Sequence, residues 1–170
     1  MLTLVELTPE LEDNYNDYLS EWKESGERVV PEASDKGSHT WSQFLAGLEE
    51  GKTDVVRRRD WVPATLYFLA DDHMRLYGAV QLRHELNDAL LDFGGHMGYG
   101  IRPLERHKGY ATLMLAMALN KARNLQLTRV LITCDKNNIG SAKTITNNGG
   151  ILENERQHKE RITQRYWIEL

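Results

Sequence analysis

A chain of 170 residues, 41% of them hydrophobic and four of them tryptophan, is the size of one domain with an adequate core. A net charge of −4 at pH 7 leaves no cationic excess for nucleic-acid phosphates, and a single cysteine excludes an internal disulfide framework. No segment is long and apolar enough to span a membrane, and Met1-Leu2-Thr3-Leu4 lacks the pattern of a signal peptide, so a cytoplasmic location is expected.

Residues 2–7 alternate apolar and polar side chains as a half-buried strand does. Thr8 and Pro9 read as a helix start, and Leu11, Tyr15, Tyr18, Leu19 and Trp22 keep helical spacing to a break at Ser25-Gly26. Residues 26–38 read as a polar loop. Thr40 and Gln43 make a capping-box pattern that opens a second helix carrying Trp41, Phe44, Leu45 and Leu48 to Gly51. Residues 53–61 are a connection, and its Arg57-Arg58-Arg59 run, followed by Asp60, reads as solvated surface. Residues 64–70 and 75–82 form a hairpin pattern around Asp71-Asp72-His73. Residues 83–93 place Leu86, Ala89, Leu90 and Phe93 at the spacing of a short helix, in an insert longer than a hairpin needs.

The most informative stretch is 98–124. Tyr99 and Ile101 are strand-forming residues on alternate positions, and Pro103 stops the strand. From Ala111 the period becomes helical, with Leu115, Ala118, Leu119 and Ala122 on one face and Leu113, Met114 and Met117 widening it, so the helix must be buried. Between them lies Arg106-His107-Lys108-Gly109-Tyr110-Ala111. The first helical turn presents unpaired N–H groups at the positive end of the dipole, and Arg102, Arg106 and Lys108 add charge. Gly109 lets the backbone approach a ligand, so this turn is expected to cradle an anion such as a pyrophosphate. A dinucleotide-binding turn is excluded by position: Gly98-Tyr99-Gly100 begins a G-x-G pattern, but Pro103 stands where the third glycine belongs. A strand at 129–134, a helix at 139–147 and strands near 150–155 and 162–168 complete one mixed α/β domain over residues 1–170.

Arg106-His107-Lys108-Gly109-Tyr110-Ala111 matches the pattern (Q/R)-x-x-G-x-(G/A). Together with Asn138 and Ser141 in an N-x-x-S arrangement, closing on Asn148-Gly149-Gly150, it makes residues 95–170 resemble the second half of the GNAT superfamily of acetyltransferases. The N-terminal half is similar more loosely. The resemblance implies an α+β domain with a mixed central sheet of about six to seven strands flanked by helices, the N-terminal helical pair forming one wall of the acceptor site. It implies acetyl-CoA as co-substrate and direct transfer to a primary amine, on a small molecule or a peptide, in a ternary complex. The pyrophosphate would sit at Arg106, His107, Lys108, Gly109, Tyr110, Ala111 and Thr112. The pantetheine arm would lie along Tyr99, Gly100 and Ile101, where a free N–H would polarise the thioester carbonyl. Asn138 would hold the pantetheine or a bridging water. No metal, nucleic acid or membrane partner is implied, and a homodimer is compatible with the family.

Such a transfer needs a held donor, a polarised carbonyl, a deprotonated amine and a protonated thiolate. The family's usual acid is a tyrosine seven residues after the asparagine of N-x-x-(A/S), and here that position is Ile145. Ser141 is the substitute, against the plainer reading of a first-turn residue bonding backbone. For the base, His96 heads the central strand and titrates near neutrality, while His84, Glu85, Asp92, Glu105 or a water relay are alternatives. Cys134, ending an apolar strand without a nearby histidine, reads as core. Glu10, Glu12, Asp13, Asp17, Glu21 and Glu24 read as the solvated face of the first helix, or as an attraction for a cationic amine. Two further readings stand beside the enzyme. One is a non-catalytic acyl-CoA-binding or sensing module, favoured by the missing tyrosine. The other is a nucleotide-phosphate binder, which would not need the segment from Asn138 to Gly150.

Overall fold

The computed structural model describes residues 1–170, apart from the side chain of His158. The strands are β1 (Thr3–Val5), β2 (Ala64–Ala70), β3 (Leu76–Arg83), β4 (Met97–Ile101), β5 (Arg129–Asp135), β6 (Ile151–His158) and β7 (Arg161–Glu169). The helices are α1 (Glu12–Ser25), α2 (Trp41–Gly51), α3 (Tyr110–Asn124) and α4 (Ile139–Asn147), with short 3-10 turns between elements. α2 begins with the capping box read from sequence: Thr40 accepts the Gln43 N–H, and the Gln43 side chain accepts the Thr40 N–H.

Seven strands and flanking helices agree with the sequence reading, but the sheet is divided. One sheet has the order β1-β2-β3-β4 and the other β5-β7-β6, and every paired strand is antiparallel. The two sheets touch through one bridge, Gly95 to Ile132, just before β4 begins. Beside it the His96 N–H donates to the Leu131 carbonyl at 2.7 Å, and the Leu131 N–H donates back to His96 Nδ1 at 2.9 Å. Beyond this junction β4 and β5 make no ladder, and the seam between them stays open. That opening positions the site.

Each face of the first sheet carries its own core. On one, Tyr15, Tyr18 and Trp22 of α1 and Phe44 of α2 pack with Phe68, whose ring lies 5.4 Å from that of Tyr18. On the other, Met114, Leu115, Ala118, Leu119 and Ala122 of α3 meet Val80, Leu82 and Ile101, and they also reach Val130 and Ile132 of the second sheet. This double contact explains why α3 is apolar over most of its girth: it roofs both sheets at the seam.

Arg102 does not serve as a cradle cation. It is 3% exposed, with Nε donating to Glu21 at 2.5 Å and Nη1 to Asp17 at 2.7 Å. The other oxygen of Glu21 accepts the Leu104 N–H at 2.7 Å. A buried guanidinium demands such partners, and the network fastens α1 to the β4–α3 connection. Glu21 and Asp17 are therefore not simply part of a solvated acidic face. The 84–95 insert contains a π-helical turn, Leu90–Gly94, rather than a regular helix. Arg83 donates to the carbonyls of Gly94 and Gly95, and Arg165 to that of Leu91, which ties the turn to both sheets.

Candidate active site

β4, the start of α3 and the first turns of α4 enclose a cleft of about 920 Å³. That volume is in the range of small-molecule sites, roughly 300–1,000 Å³. Hydrogen bonds at both ends of the β3–β4 ladder fix which backbone groups face it. The Arg83 N–H donates to the His96 carbonyl and the Arg102 N–H to the Tyr77 carbonyl. By antiparallel alternation, Gly98 and Gly100 bond to β3, whereas Met97, Tyr99 and Ile101 turn their N–H and C=O groups away from it. The Ile101 carbonyl on that side accepts from Arg106 Nε at 3.1 Å. The N–H groups of Tyr99 and Ile101 have no acceptor among the described residues and line the opened edge.

The end wall is the start of α3. Gly109 is its N-cap at φ +85°, and the first bond back to it is from the Leu113 N–H at 3.2 Å. The N–H groups of Tyr110, Ala111 and Thr112 are left without helical acceptors, and no side chain caps them. A Cβ at Gly109 would meet nothing within 4 Å, so the space in front of these groups is open. His107 is also left-handed, at φ +63°. The charges expected to reinforce this cradle are partly spent. Arg106 pairs with Glu27 at 2.9 Å and covers the Trp22 ring, while Lys108 pairs with Glu105 at 2.9 Å. The groups left here that could attract an anion are the backbone N–H groups and the helix dipole.

Gly100 lines the cleft and is also required by the fold. A Cβ there would lie 2.3 Å from the Val30 carbonyl, so the missing side chain admits the 29–31 loop, and Val30 becomes part of the cleft wall.

α4 supplies the opposite wall. Asn138 Oδ1 accepts the Ser141 N–H at 3.0 Å and so caps the helix, which leaves its amide NH₂ without a partner among the described residues. Ile139, Lys143 and Asn147 line the cleft at four-residue spacing, a helical stripe that the sequence contained and that only the packing of α4 singled out. Lys143 forms no ion pair among the described residues. Ser141 Oγ lies 2.8 Å from the Tyr99 hydroxyl, which has crossed from β4. Burial pushes the Tyr99 phenol up to about 12, so it stays protonated near neutrality. The Cys134 thiol beside Ser141 is also raised by burial, which suits a core residue and not a nucleophile.

A family model for the acetyltransferase (GNAT) domain matches residues 2–151. The chain belongs to the GNAT acetyltransferase family. Solved structures share the fold across the whole GNAT domain. Ribosomal-protein-S5-alanine acetyltransferase from Vibrio fischeri superposes with a TM-score of 0.69 at 17% identity, covering 99% of this chain and 92% of the other. A spermidine/spermine N-acetyltransferase from Vibrio cholerae gives 0.63 at 16% identity, with 99% and 95% covered. The microcin C7 self-immunity acetyltransferase, solved with acetyl-CoA and AMP, gives 0.66 at 14%, with 99% and 92% covered. No curated protein sequence matches the chain.

Within this GNAT domain the candidate bases are scattered. His96 is 5% exposed at the sheet junction and does not line the cleft; burial, with Arg83 nearby, pushes it down to about 4. Its Nδ1 is occupied by the Leu131 N–H, which gives it a structural place. His84 bonds Thr65 at 2.8 Å, Glu85 is paired with Arg57, and Asp92 with Arg156, all away from the cleft. Glu105 does line it, but Lys108 holds its carboxyl below the usual range. Of the tryptophans in the N-terminal helical pair, Trp22 lines the cleft and Trp41 donates to the Pro9 carbonyl. Ile145 is fully buried. Among the described residues no cluster of His, Cys, Asp and Glu is placed to hold a metal ion.

Proposed function

We propose that this protein is an acetyl-CoA-dependent N-acetyltransferase that passes the acetyl group directly to a primary amine, on a small molecule or a peptide, in a ternary complex. One observation carries the reading: a single cleft joins the unpaired N–H groups of Tyr110, Ala111 and Thr112, the outward N–H groups of Tyr99 and Ile101, and the hydroxyl of Ser141. These groups fit acetyl-CoA in sequence along its length. The helix start would take the pyrophosphate from His107 to Thr112, the edge of β4 would take the pantetheine, and the Asn138 amide would bond it from across the cleft. The β4 N–H groups would polarise the thioester carbonyl as an oxyanion site does. Acetyl-CoA supplies the activated acyl group; the chain would hold it with the Ser141 hydroxyl toward the thioester.

Both carboxylates on the cleft wall, Glu27 and Glu105, are ion-paired, so the amine proton leaves through water. Structural relatives described as acetylating spermidine or a ribosomal protein motivate two acceptors, spermidine and an alanyl peptide. The test is calorimetric titration with acetyl-CoA, CoA and adenosine 3′,5′-bisphosphate, followed by thiol release with those amines. Tight binding of both CoA forms, a weaker nucleotide and amine-dependent release support the enzyme. Binding without release for any amine favours the acyl-CoA-sensing module, for which the apolar Ile145 argues. No binding of either CoA form ends the proposal.

A further inference from the structure

The cleft contains a hydroxyl pair, Tyr99 and Ser141, of which the proposed function uses only the serine. Tyr99 leaves β4, crosses the seam and brings its hydroxyl to 2.8 Å from Ser141 Oγ at the start of α4. The same hydroxyl lies 3.4 Å from the Ser141 carbonyl, too far to compete with the shorter contact. Both residues line the cleft, and both are partly buried. A serine hydroxyl has one proton and can donate it in only one direction. If the phenol donates to Oγ, the serine proton is freed to point elsewhere. Two directions then remain for it: the Cys134 thiol, which the Ser141 hydroxyl also contacts, and the cleft, which Ser141 lines.

We infer that Tyr99 is a positioning residue for Ser141: its phenol turns the serine proton toward the sulfur of the bound thioester, supplying from β4 the hydroxyl function that Ile145 cannot supply from α4. This rests on the acetyl-CoA reading of the cleft. In the step, the amine nitrogen bonds to the carbonyl carbon and the carbon–sulfur bond breaks with its electron pair on sulfur. Sulfur takes the Ser141 proton, Ser141 takes that of Tyr99, and the proton shed by the amine nitrogen returns to the phenol through water. No group is oxidised or reduced. Burial raises the Tyr99 phenol, so near neutrality it carries the proton that this order requires.

The experiment uses CoA itself and needs no acceptor. A donor aimed at sulfur stabilises the thiolate, so CoA bound to the intact protein should titrate below free CoA when followed by thiolate ultraviolet absorbance. Tyr99→Phe removes one oxygen and keeps the ring. It should raise the bound-thiol ionisation by about one pKa unit, a tenfold change in the constant, while CoA affinity stays within about threefold. Ser141→Ala should raise it as much, and the double variant no further, because the two hydroxyls act as one unit. With an accepted amine, Tyr99→Phe should lower kcat about a hundredfold at unchanged KM for acetyl-CoA. Normal CoA binding with an unchanged thiol titration in Tyr99→Phe overturns the positioning role and leaves the cleft assignment intact. Additive effects of the two substitutions overturn it as well. Failure of the unsubstituted protein to bind CoA overturns the cleft assignment, and this inference with it.

Discussion

Replacing Gly109 by valine separates the ligand's demand on this turn from the fold's demand. Gly109 sits at φ +85°, where a Cβ costs about 1–2 kcal/mol. That Cβ would meet no protein atom within 4 Å, so the Cβ itself adds no clash. For a chain of this size the loss amounts to a fall in Tm of about 2–8 °C, well within the stability of an ordinary domain. Binding has more to lose. The added branches would stand in front of the Tyr110, Ala111 and Thr112 N–H groups, and each hydrogen bond to a phosphate is worth about 1.5–3 kcal/mol. Losing two of them raises the CoA Kd by at least about a hundredfold. Calorimetry gives the affinity directly, and thermal melts check it. CoA at a hundred times its Kd should stabilise the unsubstituted protein by about 2.7 kcal/mol and the variant hardly at all. A folded Gly109→Val protein that binds CoA within threefold of the parent would refute the placement of phosphate at the α3 start.

Glu21→Ala leaves the buried Arg102 charge with Asp17 as its one carboxylate partner and should cost about 3 kcal/mol in denaturant melts, whereas the pair Glu21→Leu with Arg102→Met should cost much less. Equal losses would show that the ion pair itself, rather than the buried charge left short of a partner, holds α1. His96 is neutral in the fold down to about pH 4 but takes a proton near its ordinary 6.5 when unfolded. Between those values the unfolded chain binds more protons, so stability rises with pH and is lost as pH falls through the window. The loss from pH 7 to pH 5 attributable to His96 should be about 2 kcal/mol, absent in His96→Gln; equal slopes in the two proteins would remove this assignment. Lys143→Ala should weaken CoA binding about threefold to tenfold and flatten its salt dependence, because Lys143 is the cleft cation with no carboxylate partner among the described residues. An unchanged salt slope would place the phosphates away from α4.

Much of the chain is legible from local rules. The two strand-like runs in 64–70 and 75–82, the Thr40–Gln43 box and the apolar run of α3 give elements within a residue or two of those observed, because each is decided by neighbours in sequence. The Gly109 turn is legible for the same reason: an N-terminus with unpaired N–H groups is a local property of strand, glycine and helix.

What sequence did not decide is what each polar group meets. Arg102 and Lys108 read as cradle charges, but Arg102 is buried on Glu21, 81 residues away, and Lys108 is turned onto Glu105. His96 looked like a base at a strand entrance, and the fold seats its ring on the Leu131 N–H between two sheets. Gly100 is clearance for the Val30 carbonyl, a contact that no local pattern announces. Tyr99 and Ser141 are 42 residues apart, and only the divergence of β4 from β5 brings their hydroxyls within 2.8 Å. Hydrogen bonds and ion pairs act over a few ångströms, and which groups fall within that reach is set by the packing of α1, α3 and α4 around the open seam. The sequence by itself determined the elements, the uncapped glycine turn at the start of α3 and the family signature; the tertiary structure decided which hydroxyls, amides and charges share the cleft.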